Sequence, residues 1–156
     1  MRQPLSETSA FGKLHRSQSG VEWHPLVDHL ADVAAVFEAL CRCRAIRRSL
    51  ESAAGRALDA QDISRLAALV FLHDFGKANA GFQAKRWLDT ERPRGWLTAG
   101  HGAEAIALLD ASIDPRFPDA QDLLLRLPVI EMLAWGSDET LGNLLRASIA
   151  HHGRPI

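Results

Sequence analysis

The chemistry of this chain gathers in the stretch Phe71–Gln83, which reads FLHDFGKANAGFQ. It sets His73 beside Asp74, follows them with Gly76 and Lys77, and closes on a Gly81-Phe82-Gln83 turn. An imidazole nitrogen next to a carboxylate offers a mixed N/O ligand set, which suits Mn, Fe, Co, Ni or Zn better than Ca. Gly76 lets the backbone break sharply after the pair, and Lys77 is then free to bring a compact positive charge back toward it. His29 precedes this stretch, His101 follows it and His151–His152 stand near the end, so five of the seven histidines fall into one candidate constellation. Any one of them alone reads most simply as a hydrogen-bonded packing residue. Several buried imidazoles together are costly unless each finds a partner or a metal. With Asp74 as the carboxylate able to bridge two ions, metal binding is the expected chemistry. Nucleophilic catalysis is disfavoured, because the sequence suggests no histidine partner for Cys41 or Cys43.

The elements that must position these residues read as helices. Residues 1–22 are polar and lack a sustained period, so they form an irregular lead-in, although Phe11-Gly12-Lys13-Leu14 can dock on the domain. Trp23-His24-Pro25 opens a long helix with Pro25 in its first turn. Leu26, His29, Leu30, Val33, Phe37 and Leu40 share one stripe, and the helix is expected to run to about Leu50. Arg42, Arg44, Arg47 and Arg48 would then complement the negative end of its macrodipole. Asp59 or Asp62 caps the next helix, whose buried face (Leu66, Leu69, Val70, His73) ends at the His–Asp pair. A short helical piece follows from Gly81 to Leu88, then a loop over Asp89–Gly100, rich in Pro and Gly. His101 opens a helix with Glu104 three residues on. A second loop begins at Asp114, and a helix over 119–135 is bent at Pro128. Ser137 or Asp138 caps the last pattern, Glu139–His152, which aligns Leu141, Leu145, Ser148 and His152. No strand pattern stands out. The expected fold is all-α, with about five to seven helices packed orthogonally or as an irregular bundle.

Composition narrows the class without naming it. At 156 residues the chain fits one domain, with residues 23–156 forming its body. Apolar content of 47% and charged content of 24% are ordinary for a globular protein. A net charge of −1 supplies no overall basic field, so an anionic substrate must be held locally. No apolar run approaches membrane-spanning length and the start of the chain is polar, so the expected setting is cytoplasmic, with no membrane partner. The cysteines, spaced C-x-C, sit about 200° apart on a helix and are read as packing residues rather than a disulfide.

The series HLADVA around His29, LHDFGKANAGFQ at 72–83, GHGAE around His101 and IAHHG at 149–153 resembles the HD nuclease domain of the CRISPR-associated helicase–nuclease of type I interference systems. The likeness runs from about Phe11 to Ile156 in the family's order. The extended HDFGKANAGFQ and HHG elements are more specific than the HD pair common to the whole HD phosphohydrolase superfamily. The resemblance implies an HD phosphohydrolase-like helical fold with two divalent transition-metal ions (Mn, Ni, Co or Fe, with Mg or Zn as further candidates). It implies hydrolysis of phosphodiester bonds in single-stranded DNA. By motif, His29, His73 and Asp74 hold one metal, and Asp74 bridges to a second held by His101, His151 and His152. Lys77 matches the family's lysine beside the site, where it neutralises phosphate charge. Asp74 and Lys77 are thus the expected catalytic pair.

The implied partners are single-stranded DNA, a CRISPR helicase subunit and an RNA-guided surveillance complex. The family carries a further ligating Asp beyond the double histidine, then helicase domains, so this chain is expected to be C-terminally truncated; Asp110, Asp114, Asp119 or Asp138 are the substitutes at hand. Lys85, Arg86, Arg92 and Arg94, interleaved with Trp87 and Trp96, are candidate nucleic-acid contacts that neutralise phosphates and stack bases, or else a solvated loop with its tryptophans on the core. Two other functions fit the same residues: an HD phosphohydrolase for small nucleotides, and a non-catalytic metal-binding remnant.

Overall fold

The first described elements form a hairpin. A computed structural model describes residues 9–18, 20–109 and 137–150, and within them β1 (Phe11–Ser17) pairs antiparallel with β2 (Gly20–Pro25). The all-α expectation is corrected to a mostly helical fold fronted by a two-stranded sheet. The strands escaped notice because only the start of β1, Phe11 and Gly12, is buried. Most of the hairpin beyond them faces solvent, so the sequence carries no alternation of apolar and polar residues. Register runs from Ser17 opposite Gly20 to Phe11 opposite Pro25, with an irregularity between Phe11 and Lys13 that leaves Gly12 bulged.

Helix α1 (Leu26–Leu40) starts directly after the hairpin, with the Leu26 amide donating to Ala10 O at 2.9 Å. Pro25 is its extended N-cap rather than a first-turn residue. The helix buries Leu26, His29 and Leu30, then stops well short of Leu50. Cys41–Cys43 make a turn and α2 (Arg44–Ala54) starts afresh, ending on left-handed Gly55 at φ 67°. Arg44, Arg47 and Arg48 therefore lie in the first half of α2, not at the C-terminal end of a long helix, and the macrodipole reading falls. Arg47 instead ties the turn together by donating to Glu51 Oε1 at 2.9 Å and to Leu58 O. Both cysteines are free, Cys41 buried and Cys43 exposed.

Helix α3 (Ala60–Phe71) opens on a capping box in which the Asp62 amide donates to Asp59 Oδ1 (2.8 Å) and the Asp59 amide to Asp62 Oδ2 (3.1 Å). It continues as a 3-10 helix, Leu72–Ala78. Then come α4 (Ala80–Gln83), a 3-10 turn at Ala84–Arg86, an irregular stretch to His101, α5 (Gly102–Leu109) and α6 (Asp138–Ile149). Ser137 caps α6 by accepting from the Thr140 amide at 3.2 Å. The core joins Ala10, Leu26, Leu30, Leu69, Leu72, Phe75 and Ala78, with Leu141, Leu144 and Leu145 packed on it. Helices α1 and α3 lie side by side, and the 3-10 segment is wedged between α1, α5 and α6. Among the described residues no helix is long and apolar enough to cross a membrane. The expected helix over 119–135, its bend at Pro128, and Asp110, Asp114 and Asp119 lie outside the described residues.

Candidate metal centre

The site forms where α3 tightens. In a 3-10 helix side chains three apart eclipse one another, so Lys77 stands over Asp74. The Lys77 ammonium accordingly donates to Asp74 Oδ2 at 2.6 Å. The same spacing applies one turn earlier, where His73 Nδ1 lies 2.7 Å from Val70 O. That carbonyl can only accept, so Nδ1 carries the proton and Nε2 presents its lone pair to the interior. His73 Nε2 is 3.1 Å from Asp74 Oδ2, and His29 Nε2, brought from α1, is 3.0 Å from the same oxygen. On the other side His101 Nε2 is 3.2 Å from Asp74 Oδ1. One carboxylate thus faces His29, His73 and Lys77 with one oxygen and His101 with the other.

Gly76 has a different role from the one its type suggested. It lies buried inside the 3-10 turn, and a Cβ there would sit 1.7 Å from His101 O. The glycine permits contact with the start of α5 rather than a sharp break. Asn79, which sequence reading passed over, joins the same two segments: its Nδ2 donates to Gly76 O (2.7 Å) and Gly100 O (2.8 Å), while its Oδ1 caps α4 at the Phe82 amide (2.8 Å). An Asn directly before the short helical run Ala80–Gln83 was the available signal.

Electrostatics suit a cation. Burial by itself would push the Asp74 carboxyl up, but the Lys77 ammonium, by its hydrogen bond and its charge, together with the adjoining His73 ring, outweighs it and holds the group well below the usual carboxylate range. Burial lowers His29, against the hydrogen bond to Asp74, so its imidazole stays neutral and able to ligate. His29, His73 and Asp74 each offer a ligand atom, all within 4.8 Å of one another. The His73 lone pair and Asp74 Oδ2 are two acceptors aimed at one place, an arrangement that a shared proton or a divalent metal satisfies. These residues fit a metal of the borderline class.

Five of the expected residues therefore come together: His29, His73, Asp74, Lys77 and His101. His151 and His152 lie outside the described residues, and of Asp138 only the backbone is described. The candidate nucleic-acid residues divide. Arg86 turns inward, donating to Ser9 O (2.7 Å) and Gln83 Oε1 (2.9 Å). Trp87 and Trp96 meet edge to face at 5.0 Å, and Trp96 packs against the core. Arg92 pairs with Asp89. Lys85 is exposed with its ammonium 4.3 Å from the Phe82 ring centre, and Arg94 is exposed.

Comparison with known proteins identifies the family of the chain. Residues 11–156 match the family described as "Cas3, HD domain". The CRISPR-associated endonuclease/helicase Cas3 of Thermus thermophilus is 36% identical over 149 residues, 89% of this chain. The chain spans 14% of that relative's length. No solved structure matches.

Proposed function

Because this chain belongs to the Cas3 HD-domain family, we propose that it is a divalent-metal-dependent nuclease that hydrolyses phosphodiester bonds of single-stranded DNA in CRISPR antiviral defence. The observation that carries this reading is the convergence of His29, His73 and Lys77 on one oxygen of Asp74, with His101 on the other.

His29, His73 and Asp74 would hold one ion, and Asp74 would share a second with His101, His151 and His152. Bound there, divalent ions such as Mn, Ni, Co or Fe supply Lewis-acid stabilisation of phosphoryl charge and lower the pKa of a water. The chain's own residues do the rest. Asp74, ionised at any working pH, orients the donors around it. His73 is fixed in its ligating tautomer by Val70 O. Lys77 brings a positive charge to the place where a phosphate must lie, and Lys13 and Lys85 are close enough to His29 and Lys77 respectively to be felt electrostatically. A scissile phosphate entering here meets cations in a chain that carries no basic field overall. The relative's name pairs endonuclease with helicase. A helicase yields unpaired strand, so single-stranded DNA is the natural substrate, and a helicase subunit with an RNA-guided complex the natural partners.

The test is direct. Purified protein is incubated with labelled single-stranded and duplex DNA in Mn2+ or Ni2+, beside an Asp74→Asn control. Metal-dependent cutting of the single strand, absent from the control and abolished by chelator, is expected. Intact DNA with every transition metal tried would sink the proposal, and turnover of mononucleotides instead would move the chain to a small-molecule phosphohydrolase.

A further inference from the structure

Gln83 closes the FLHDFGKANAGFQ stretch and is completely buried, at 0% exposure. A glutamine amide has two N–H donors and an oxygen with two lone pairs. All four are used. Nε2 donates to Phe11 O at 3.0 Å and to Lys77 O at 2.7 Å, while Oε1 accepts from the Phe11 amide at 3.0 Å and from Arg86 at 2.9 Å. Toward Phe11 the side chain behaves as a neighbouring strand would, exchanging both backbone bonds with one residue. Gln83 therefore anchors β1 to the turn that carries the metal residues.

The next residue gives β1 its place in the site. Gly12 is bulged out of the hairpin register, and its carbonyl accepts from Lys77 Nζ at 3.2 Å. Lys77 is thus held between Gly12 O and Asp74 Oδ2. On its other side Gly12 lies against His29 so closely that a Cβ would come within 2.8 Å of His29 Cβ. Strand β1 is consequently a wall of the centre, touching one metal-ligand candidate and the lysine beside another.

We infer that Gln83 is a positioning residue: by holding Phe11 it seats bulged Gly12 against His29 and Lys77, and so sets the geometry of the metal centre without touching it. The effect on the metal rests on the proposed metal-dependent function; the effect on Lys77 does not, and the two are measured separately. Gln83→Met keeps length and apolar volume but removes all four bonds. Gly12→Ala keeps those bonds and displaces β1 from His29 directly.

Each variant of the 156-residue chain is stripped with chelator. Lys77 acetylation is followed by mass spectrometry relative to exposed Lys13, amide exchange in α3 serves as the fold control, and Co2+ affinity is read from its visible absorption. Gln83→Met is expected to raise Lys77 acetylation severalfold with α3 still protected, and both variants are expected to weaken Co2+ about 10- to 100-fold, the range for outer-sphere partners. Unchanged Lys77 labelling in Gln83→Met with α3 intact overturns the inference. If Gln83→Met loses protection in α3 as well, Gly12→Ala decides: weakened Co2+ upholds the role of β1, and wild-type affinity overturns it. Should the wild-type chain take no Co2+ while Lys77 labelling still rises in Gln83→Met, the metal reading fails and the positioning of Lys77 stands.

Discussion

Gly76 and His101 touch backbone to backbone: a side-chain carbon at Gly76 would fall 1.7 Å from the His101 carbonyl oxygen and 2.8 Å from Ala105 Cβ. This contact, with Asn79 bridging Gly76 and Gly100, is what brings His101 within 3.2 Å of Asp74. Gly76→Ala forces α5 away from the 3-10 turn, since neither backbone oxygen nor helix can yield cheaply. The expected cost is about 1–3 kcal/mol of stability, typical of overpacking, with a larger proportional loss of cleavage. Urea unfolding beside a DNA-cutting assay checks it; a fully active, fully stable variant would contradict the packing described.

Asp74→Asn keeps volume but removes the charge that gathers three histidines and a lysine. Cleavage is expected to fall about 100- to 1,000-fold. Lys77→Met should cost less, about tenfold, if its work is to neutralise substrate phosphate rather than to ligate. Equal losses in the two variants would mean Lys77 is part of the ligand framework itself.

Metal addition should stabilise the fold. An ion bound only by the native state contributes about 2.7 kcal/mol at one hundred times its Kd. Thermal scans with Mn2+ or Ni2+ should therefore shift upward, return on adding chelator, and show no shift in His73→Ala. A shift that survives in His73→Ala would place the ion elsewhere.

The start of α3 sets an acid limit. The fork from Arg56 (2.5 and 2.9 Å) and the Asp59 amide hold the Asp62 carboxyl down at about 2. An unfolded aspartate titrates near 3.9. The folded state therefore binds its proton later than the unfolded one, so this stabilisation is whole above about pH 4 and is lost as pH falls through about 2. Asp62→Asn should be less stable at neutral pH and show a flatter decline across that window, read from urea midpoints. Parallel curves for the two proteins would remove Asp62 from the account.

Ser148 ties α6 to α3 by donating its hydroxyl to Leu69 O at 2.6 Å. Ser148→Ala should cost about 1 kcal/mol, the net worth of one such bond. No change in the denaturation midpoint would mean that water replaces the hydroxyl.

The sequence alone determined the candidate ligands and the local grammar around them. His29, His73, Asp74, Lys77 and His101 were all legible, as were the capped start of α3, the loop before His101 and the cap of α6, because periodicity and caps are contests between near neighbours in the chain. Tertiary structure decided what distant partners settle. Phe11 becomes a strand end because Gln83, 72 residues away, exchanges bonds with its backbone. Arg86, read as a candidate for DNA, turns inward because Ser9, 77 residues away, offers a carbonyl. Gly76 is needed for its contact with His101. No local pattern encodes such pairings. They form because a buried polar group must find its partner, and which partner lies within reach is fixed only when the chain has folded.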